Sequence, residues 1–330
     1  MIRAALGLAS PAGARARLSI LIFHRVLPEP DPLFPQEMHA ARFDALCGWL
    51  STWFNVLPLD EAGRRLRDGS LPSRALAITF DDGYADNHDV ALPILRRHGL
   101  NATFFVASGF LDGGIMWNDV LIEAVRRTTA PSLDVEARVG LPLGRLPVVT
   151  VAERRQAAEA LIRALKYVGR DERRRATEAV ARVAGVQLPR DMMMTGAQVR
   201  ALHAAGMRIG GHTVDHPILA RLDSGTARAE IVGGKAVLET LIDAPVRLFA
   251  YPNGRPGEDF TREHVVMARE AGFELAVTTD WGAARRDTDP LRLPRFTPWD
   301  LGRSRFGMRL LANLLVRDRS GPEDAACSRG

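Results

Sequence analysis

At 330 residues the chain can hold one large α/β domain with insertions or two smaller domains, and its 46% hydrophobic and 25% charged content excludes a disordered or fibrous protein. Lys and Arg outnumber Asp and Glu by 44 to 39, but the excess is spread along the chain, so no nucleic-acid partner is expected. The two cysteines, Cys47 and Cys327, match no metal or redox spacing and read as free thiols.

Residues 1–17 read as an N-terminal extension. Their short apolar patch is broken by Gly7, Ser10 and Pro11, which does not suit a secretory signal. No run approaches the roughly 18–20 apolar residues of a membrane span. A cytoplasmic location, at most peripheral to the inner membrane surface, is the expectation.

The first apolar, β-branched run is "LSILIF" (18–23), followed by "ALAITF" (75–80). A helical stretch, "DVALPILRRHG" (89–99), separates the second from "ATFFVA" (102–107). Residues 112–194 break this rhythm with two amphipathic helical patterns, 153–168 and 171–185, and a Pro/Gly/Leu loop at 139–147. They read as a mainly helical insertion that gives no strand to the sheet. Helix 195–206, opened by Thr195, then leads to "MRIGG" (207–211), helix 226–243 to "VRLFAY" (246–251), and helix 261–272 to "FELAVTT" (273–279). Near-continuous apolar strands alternating with helices imply a parallel α/β architecture, most economically a (β/α) barrel over residues 18–300. The tail, 301–330, places Phe306, Leu310, Leu311, Leu314 and Leu315 on one helical face, with Arg303, Arg305, Arg309 and Arg317 around it. That face suits a helix closing the barrel, or peripheral contact of residues 302–317 with an anionic membrane.

Two strand endings carry the chemistry. Asp81 and Asp82 follow "ALAITF" directly, where an Asp-Gly turn would be the simplest reading. His212 and His216, in "HTVDH", also follow a strand and are near enough to share one metal ion. Two imidazoles and one carboxylate, with a position left open for water, suit a divalent ion such as zinc. In a parallel barrel the strand C-termini gather at one face, so both endings can converge on one cation. Adjacent residues at a strand end point different ways. One carboxylate can therefore hold the ion while its neighbour faces the water, and the cation relieves their repulsion.

"TFDDGYADN" and "HTVDH" resemble the first two motifs of the polysaccharide deacetylase family, also called the NodB-homology domain or carbohydrate esterase family four, over residues 18–111 and 195–300. The resemblance implies a distorted (β/α) barrel and a metal-dependent hydrolase that removes acetyl groups from N-acetylated aminosugar glycans. It implies Asp81 as catalytic base and Asp82, His212 and His216 as ligands of a divalent metal, zinc before cobalt or nickel. Two departures follow. Where the family shows R-x-P-Y-G this chain has "FAYPNG" (249–254), with Ala250 in place of the arginine and Asn253 in place of an aromatic. The Asn253 N–H can still serve an oxyanion, beside Tyr251, since that role needs only a peptide group. Arg295 in "LRLPRF" is the candidate to orient Asp81, although it can equally pair elsewhere. The family's late Leu-x-His is also missing, and the comparable stretch is "ILIFH" (20–24), ending in His24. This resembles a permuted branch in which the strand bearing the general acid comes first. A histidine satisfying backbone groups at a strand end is the alternative. Trp117, opening the insertion, suits stacking on a sugar or a place in the core.

The implied reaction has Asp81 taking a proton from the attacking water and His24 protonating the departing amine. A catalytically silent carbohydrate-binding protein, or a metal amidohydrolase or O-acetyl esterase acting on a non-polymer substrate, remains open. Oligomeric state and the identity of the sugar are not legible.

Overall fold

The computed structural model describes residues 2–300 and 302–316, so Arg317 and Cys327 lie outside the described residues. A short helix, α1 (Ile2–Ala9), precedes the first strand, β1 (Leu18–Phe23). Helices α2 (Ala40–Trp53) and α3 (Leu59–Asp68) flank the two-residue strand β2 (Asn55–Val56) and lead into β3 (Ala75–Phe80). Helix α4 (Leu92–Arg97) returns the chain to β4 (Thr103–Val106). The excursion that follows holds α5 (Trp117–Arg127), β5 (Ser132–Asp134), α6 (Val135–Val139), β6 (Arg145–Pro147), α7 (Val151–Leu165) and α8 (Arg170–Ala184). Alternation then resumes with α9 (Gly196–Ala204), β7 (Arg208–Gly211), α10 (Ser224–Ile242), β8 (Leu248–Ala250), α11 (Arg262–Glu270), β9 (Leu275–Trp281), β10 (Leu293–Arg295) and α12 (Arg303–Leu315).

The main sheet runs β1-β3-β4-β7-β8-β9-β10, all parallel, with β2 beside β3. Its ends meet. The Ile22 N–H donates to Phe296 O at 3.1 Å and the Phe296 N–H to Ile20 O at 2.8 Å, which turns the sheet into a nearly closed barrel. Every residue of β1, β3 and β4 is buried, because helices cover one face of the strands and the barrel interior fills the other. Leu21, Phe23, Ile78, Phe80 and Phe104 face the helices, with Phe43, Leu46, Leu95 and Leu202 among their neighbours in the core. Alternate positions of the same strands, Leu18, Ile20, Ala75, Ala77, Phe105, Ala250, Val277 and Leu293, fill the interior together with Leu59, Ala62 and Leu66 of α3. This alternation decides which way the strand ends point at the site.

Contacts divide the chain into two compact units, one of residues 1–28, 38–111 and 194–330 and one of residues 29–37 and 112–193. The second unit has its own core of Leu121, Val125, Leu133, Leu161 and Val180. Its segment 29–37 is tied in by Arg126, whose guanidinium donates to both carboxylate oxygens of Asp31 at 2.9 and 2.6 Å. No sequence periodicity marks that segment. The stretch expected as loop contains β6, which pairs antiparallel with β5 as a separate two-stranded sheet. Three-residue strands are too short to show a period, and Pro147 fits an edge. The helix expected over 89–99 is also modified. Pro93 has no N–H to return to residue 89, and the preceding turn, Asn87–Ala91, is a wider π-type turn.

Cys47 is free and fully buried, and burial pushes its thiol up to about 12, so it packs as a small apolar side chain. No helix among the described residues is long and apolar enough to cross a membrane. The tail helix closes the barrel, the first of the two places its apolar face suits. Phe306, Leu310 and Leu314 of α12 are buried, with Phe306 against Trp49, Trp53 and Phe296 at ring distances of 6.0, 6.4 and 6.2 Å. Most of its apolar face is thus packed against α2 and the barrel. Leu315 is left exposed, and Arg309 reaches back to the Asp300 carboxylate at 2.5 Å. Leu310→Ala is therefore expected to destabilise the protein by about 2–5 kcal/mol in a denaturant titration; an unchanged midpoint would mean that α12 does not close the barrel.

Candidate active site

The alternation that sends Ala75 and Ala77 inward carries Thr79 and Asp81 to the interior as well. The Asp81 N–H still bonds to Phe23 O, at 2.9 Å, as the last rung of the sheet. The chain then turns sharply, with φ of +77° at Asp82 and +92° at Gly83. Such a conformation costs a non-glycine residue about 1–3 kcal/mol and persists only where its surroundings enforce it. Here the Ala107 N–H bonds to Asp82 O at 3.2 Å and the Met194 N–H to Gly83 O at 2.9 Å. A Cβ at Gly83 would also lie 3.0 Å from Val106 Cγ1. The glycine of the D-D-G motif is thus needed for both its φ and its lack of a side chain.

Asp81 has its own cation. Arg295, fully buried at the end of β10, donates Nη1 to Oδ1 and Nη2 to Oδ2, both at 2.7 Å. Its Nε donates to Thr278 O at 2.7 Å and its Nη1 also reaches Thr79 Oγ1 at 3.3 Å. This bidentate fork fixes the plane of the carboxylate. Burial alone would raise the Asp81 carboxyl, but Arg295, followed by His212, outweighs it and holds the group below the usual carboxylate range. Ala250, where the family's arginine would stand, lines the barrel interior, and the guanidinium arrives from β10 instead.

Asp82 faces the imidazoles. Its Oδ1 lies 3.4 Å from His212 Nε2 and 3.4 Å from His216 Nε2, is buried, and accepts no hydrogen bond. Among the described residues this is the only trio of His, Cys, Asp or Glu with ligand atoms mutually within 4.8 Å. Two atoms bound at 2.0–2.2 Å to a tetrahedral ion stand roughly 3.3–3.5 Å apart, so the observed separations suit a shared cation better than direct hydrogen bonds. The His212 Nδ1–H donates to Ala250 O at 2.7 Å, with the tautomer following from that bond, and this leaves Nε2 as a lone-pair donor. Burial dominates at His216 and lowers its pKa to about 4, so the ring is neutral near pH 7. At His212 burial is outweighed by Asp82 and Asp81, which push the imidazole up; at Asp82 it is outweighed by the two histidines, which hold the carboxyl far below its ordinary value. The residues fit a divalent ion held by one carboxylate oxygen and two imidazole nitrogens.

Asp81, Asp82, His212 and His216 share a pocket of about 100 Å³ with His24, Tyr251, Asn253 and Thr279. His24 follows β1, whose neighbours in the closed barrel are β3 and β10, and so it stands beside the ends that carry Asp81 and Arg295. The segment after the Asp pair positions it. Asn87 Nδ2 donates to His24 O at 2.8 Å, and the Asp86 carboxylate accepts from Arg25 Nε and the Val26 N–H at 2.8 and 2.9 Å. Asn253, at φ +58°, has its carbonyl bonded by Thr279 Oγ1 at 2.9 Å, and among the described residues nothing accepts from its N–H. Tyr251 lines the pocket, but its hydroxyl donates to Leu291 O at 3.0 Å and its ring stacks on Phe260. Trp117 belongs to the second unit, half-buried under the Arg173 guanidinium at 4.9 Å from the ring centre. Asn87 follows the Asp pair in the sequence as a candidate rim residue, and it braces His24 through its backbone. Sequence reasoning missed Asp86 and Thr279: Asp86 was signalled only as a polar residue where the chain re-enters a buried helix, and Thr279 not at all.

A barrel with this arrangement at its strand C-termini defines a class. A model of the polysaccharide deacetylase family matches residues 68–129 and 174–276, half of the chain, and the protein belongs to that family. The deacetylase PplD of Streptococcus pyogenes, solved in complex with acetate, superposes with a TM-score of 0.59 at 19% identity, covering 91% of this chain and 98% of that one. IcaB from Ammonifex degensii gives 0.59 at 18% identity, covering 93% and 99%. YxkH of Bacillus subtilis (strain 168), whose name places it provisionally among polysaccharide deacetylases, is 22% identical over 282 residues, 85% of this chain and 71% of its own. At these identities the two solved structures speak for the fold, a nearly closed (β/α) barrel.

Replacing Arg295 by Met keeps the bulk but strands the Asp81 charge. Removing one partner of such a buried pair costs about 3–5 kcal/mol, while neutralising both is far milder. Arg295→Met is therefore expected to lower stability by that amount, and Asp81→Asn in the same chain to restore most of it. A double-mutant cycle measured by denaturation checks this; additive losses would contradict the pairing.

Proposed function

We propose that the chain is a metal-dependent hydrolase that removes N-acetyl groups from an acetylated aminosugar glycan. The observation that carries this reading is the division of labour between neighbouring carboxylates, Asp81 clamped by Arg295 and Asp82 facing two imidazoles, in one small pocket. Asp82, His212 and His216 would hold the ion, zinc being best suited to this donor set, with cobalt or nickel able to replace it. When bound, such an ion supplies Lewis acidity and makes water a nucleophile near neutral pH.

The chain's own residues do the rest. Asp81 accepts a proton from water as the water oxygen attacks the acetamide carbonyl carbon. Arg295 keeps its carboxylate ionised and aimed. The N–H of Asn253 receives the developing oxyanion, in a loop braced by Thr279. His24, which lines the same pocket, gives a proton to the nitrogen as the C–N bond breaks, leaving acetate and a free amine. The acetate bound in the PplD structure is what such a reaction would release. Both motif departures that favour a silent binding protein are offset in space, since Arg295 supplies the guanidinium absent at Ala250 and His24 lines the pocket.

Acetate release from N-acetylated chito-oligosaccharides should vanish with a strong chelator and return on adding zinc or cobalt. Asp81→Asn should lower turnover by about 10²–10⁴-fold at near-wild-type metal content. His212→Ala and His216→Ala should fail to retain the metal, as read by atomic emission after gel filtration. Full occupancy in either histidine variant would remove the ligand assignment, and activity indifferent to chelation would remove the reading as a whole.

A further inference from the structure

The segment 212–216 holds an unfavourable shape. Thr213 has φ +64° and His216 φ +51°, two left-handed non-glycine residues within four positions. Local bonds explain part of it, with the His216 N–H donating to Thr213 Oγ1 at 3.1 Å and the Gly109 N–H to Val214 O at 2.8 Å. The Ser108 N–H adds a bond to Thr213 O at 3.2 Å, and further support comes from α10. Glu230, buried within that helix, accepts from the Val214 N–H at 3.0 Å and the Asp215 N–H at 2.9 Å through the same oxygen, Oε2. The helix is brought close enough for this by Gly234, where a Cβ would fall 2.6 Å from the carbonyl carbon and oxygen of Thr213. A glycine in the middle of a helix is otherwise unfavourable, so its presence marks the close approach. The two bonds to one carboxylate oxygen fix the Val214 and Asp215 peptide groups between the histidines.

We infer that Glu230 is a positioning residue for the metal centre: by holding the Val214 and Asp215 peptides it places His216 opposite Asp82 and His212. It touches neither substrate nor the ion. The inference rests on the metal site proposed above and adds a residue outside both motifs. Glu230 should set how tightly the ion is held and in what geometry.

The test is metal affinity of the full chain, measured by chelator competition with zinc, together with the visible absorption of the cobalt-loaded protein. Glu230→Ala is expected to weaken zinc binding by about tenfold or more, as supporting residues around metal ligands commonly do, and to alter the cobalt bands. Glu230→Gln keeps an acceptor oxygen and should recover most of the affinity. Should the alanine variant fail to fold, Glu230→Asp, which keeps the charge but withdraws it by one methylene, should weaken binding in the same direction. Wild-type affinity and an unchanged cobalt spectrum in a folded alanine or aspartate variant would overturn the inference while leaving the metal site intact. A wild-type chain that binds neither ion would overturn the site itself, and the inference with it.

Discussion

Two adjacent carboxylates can stay ionised in a buried pocket only if they do not share one set of partners. Much of the architecture around Asp81 and Asp82 meets that requirement. The sharp turn at Asp82 and Gly83 separates the two groups, sending Asp81 along the barrel interior toward Arg295 and Asp82 toward the imidazoles. Without the turn both charges would compete for one set of partners. Without the guanidinium, burial would favour the protonated form of Asp81.

The origin of each partner along the chain matters less than the strand end it occupies. In a closed barrel every strand terminus at one face is within a few strands of every other, so a guanidinium can reach Asp81 from β10 as well as from β8. Ala250 illustrates the exchange. Its side chain is small and interior, while its carbonyl fixes the tautomer of His212. The same position thus orients His212 through its backbone, a role any residue could fill. His24 follows the same logic, since β1 joins β10 to β3 and brings its terminus to the pocket from the opposite end of the sequence.

Legibility in the sequence tracked the range of the interactions. Strands such as "ALAITF" and "ATFFVA" were visible because burial on both faces leaves unbroken apolar runs. Helix α9 was visible because Thr195 and Gln198 form a local capping box. Helix α2 and the tie of residues 29–37 to α5 were not, the first because its apolar positions are weakly patterned and the second because Arg126 and Asp31 are far apart in the chain. The partner of the Tyr251 hydroxyl was hidden for a related reason. A tyrosine beside a motif looks available to a ligand, whereas its hydroxyl is taken by Leu291 O from another part of the fold.

By itself the sequence determined the parallel barrel and the D-D-G and H-x-x-x-H strand endings, because period, turn chemistry and ligand spacing are properties of a few neighbouring residues. Only the tertiary structure decided that Arg295 pairs with Asp81 rather than with another acid, that His24 belongs to the pocket, that the apolar face of α12 is covered, and that Glu230 supports the histidine segment. Each of those contacts joins groups distant in the chain, and their energies depend on burial and angle, quantities that exist only once the barrel has closed.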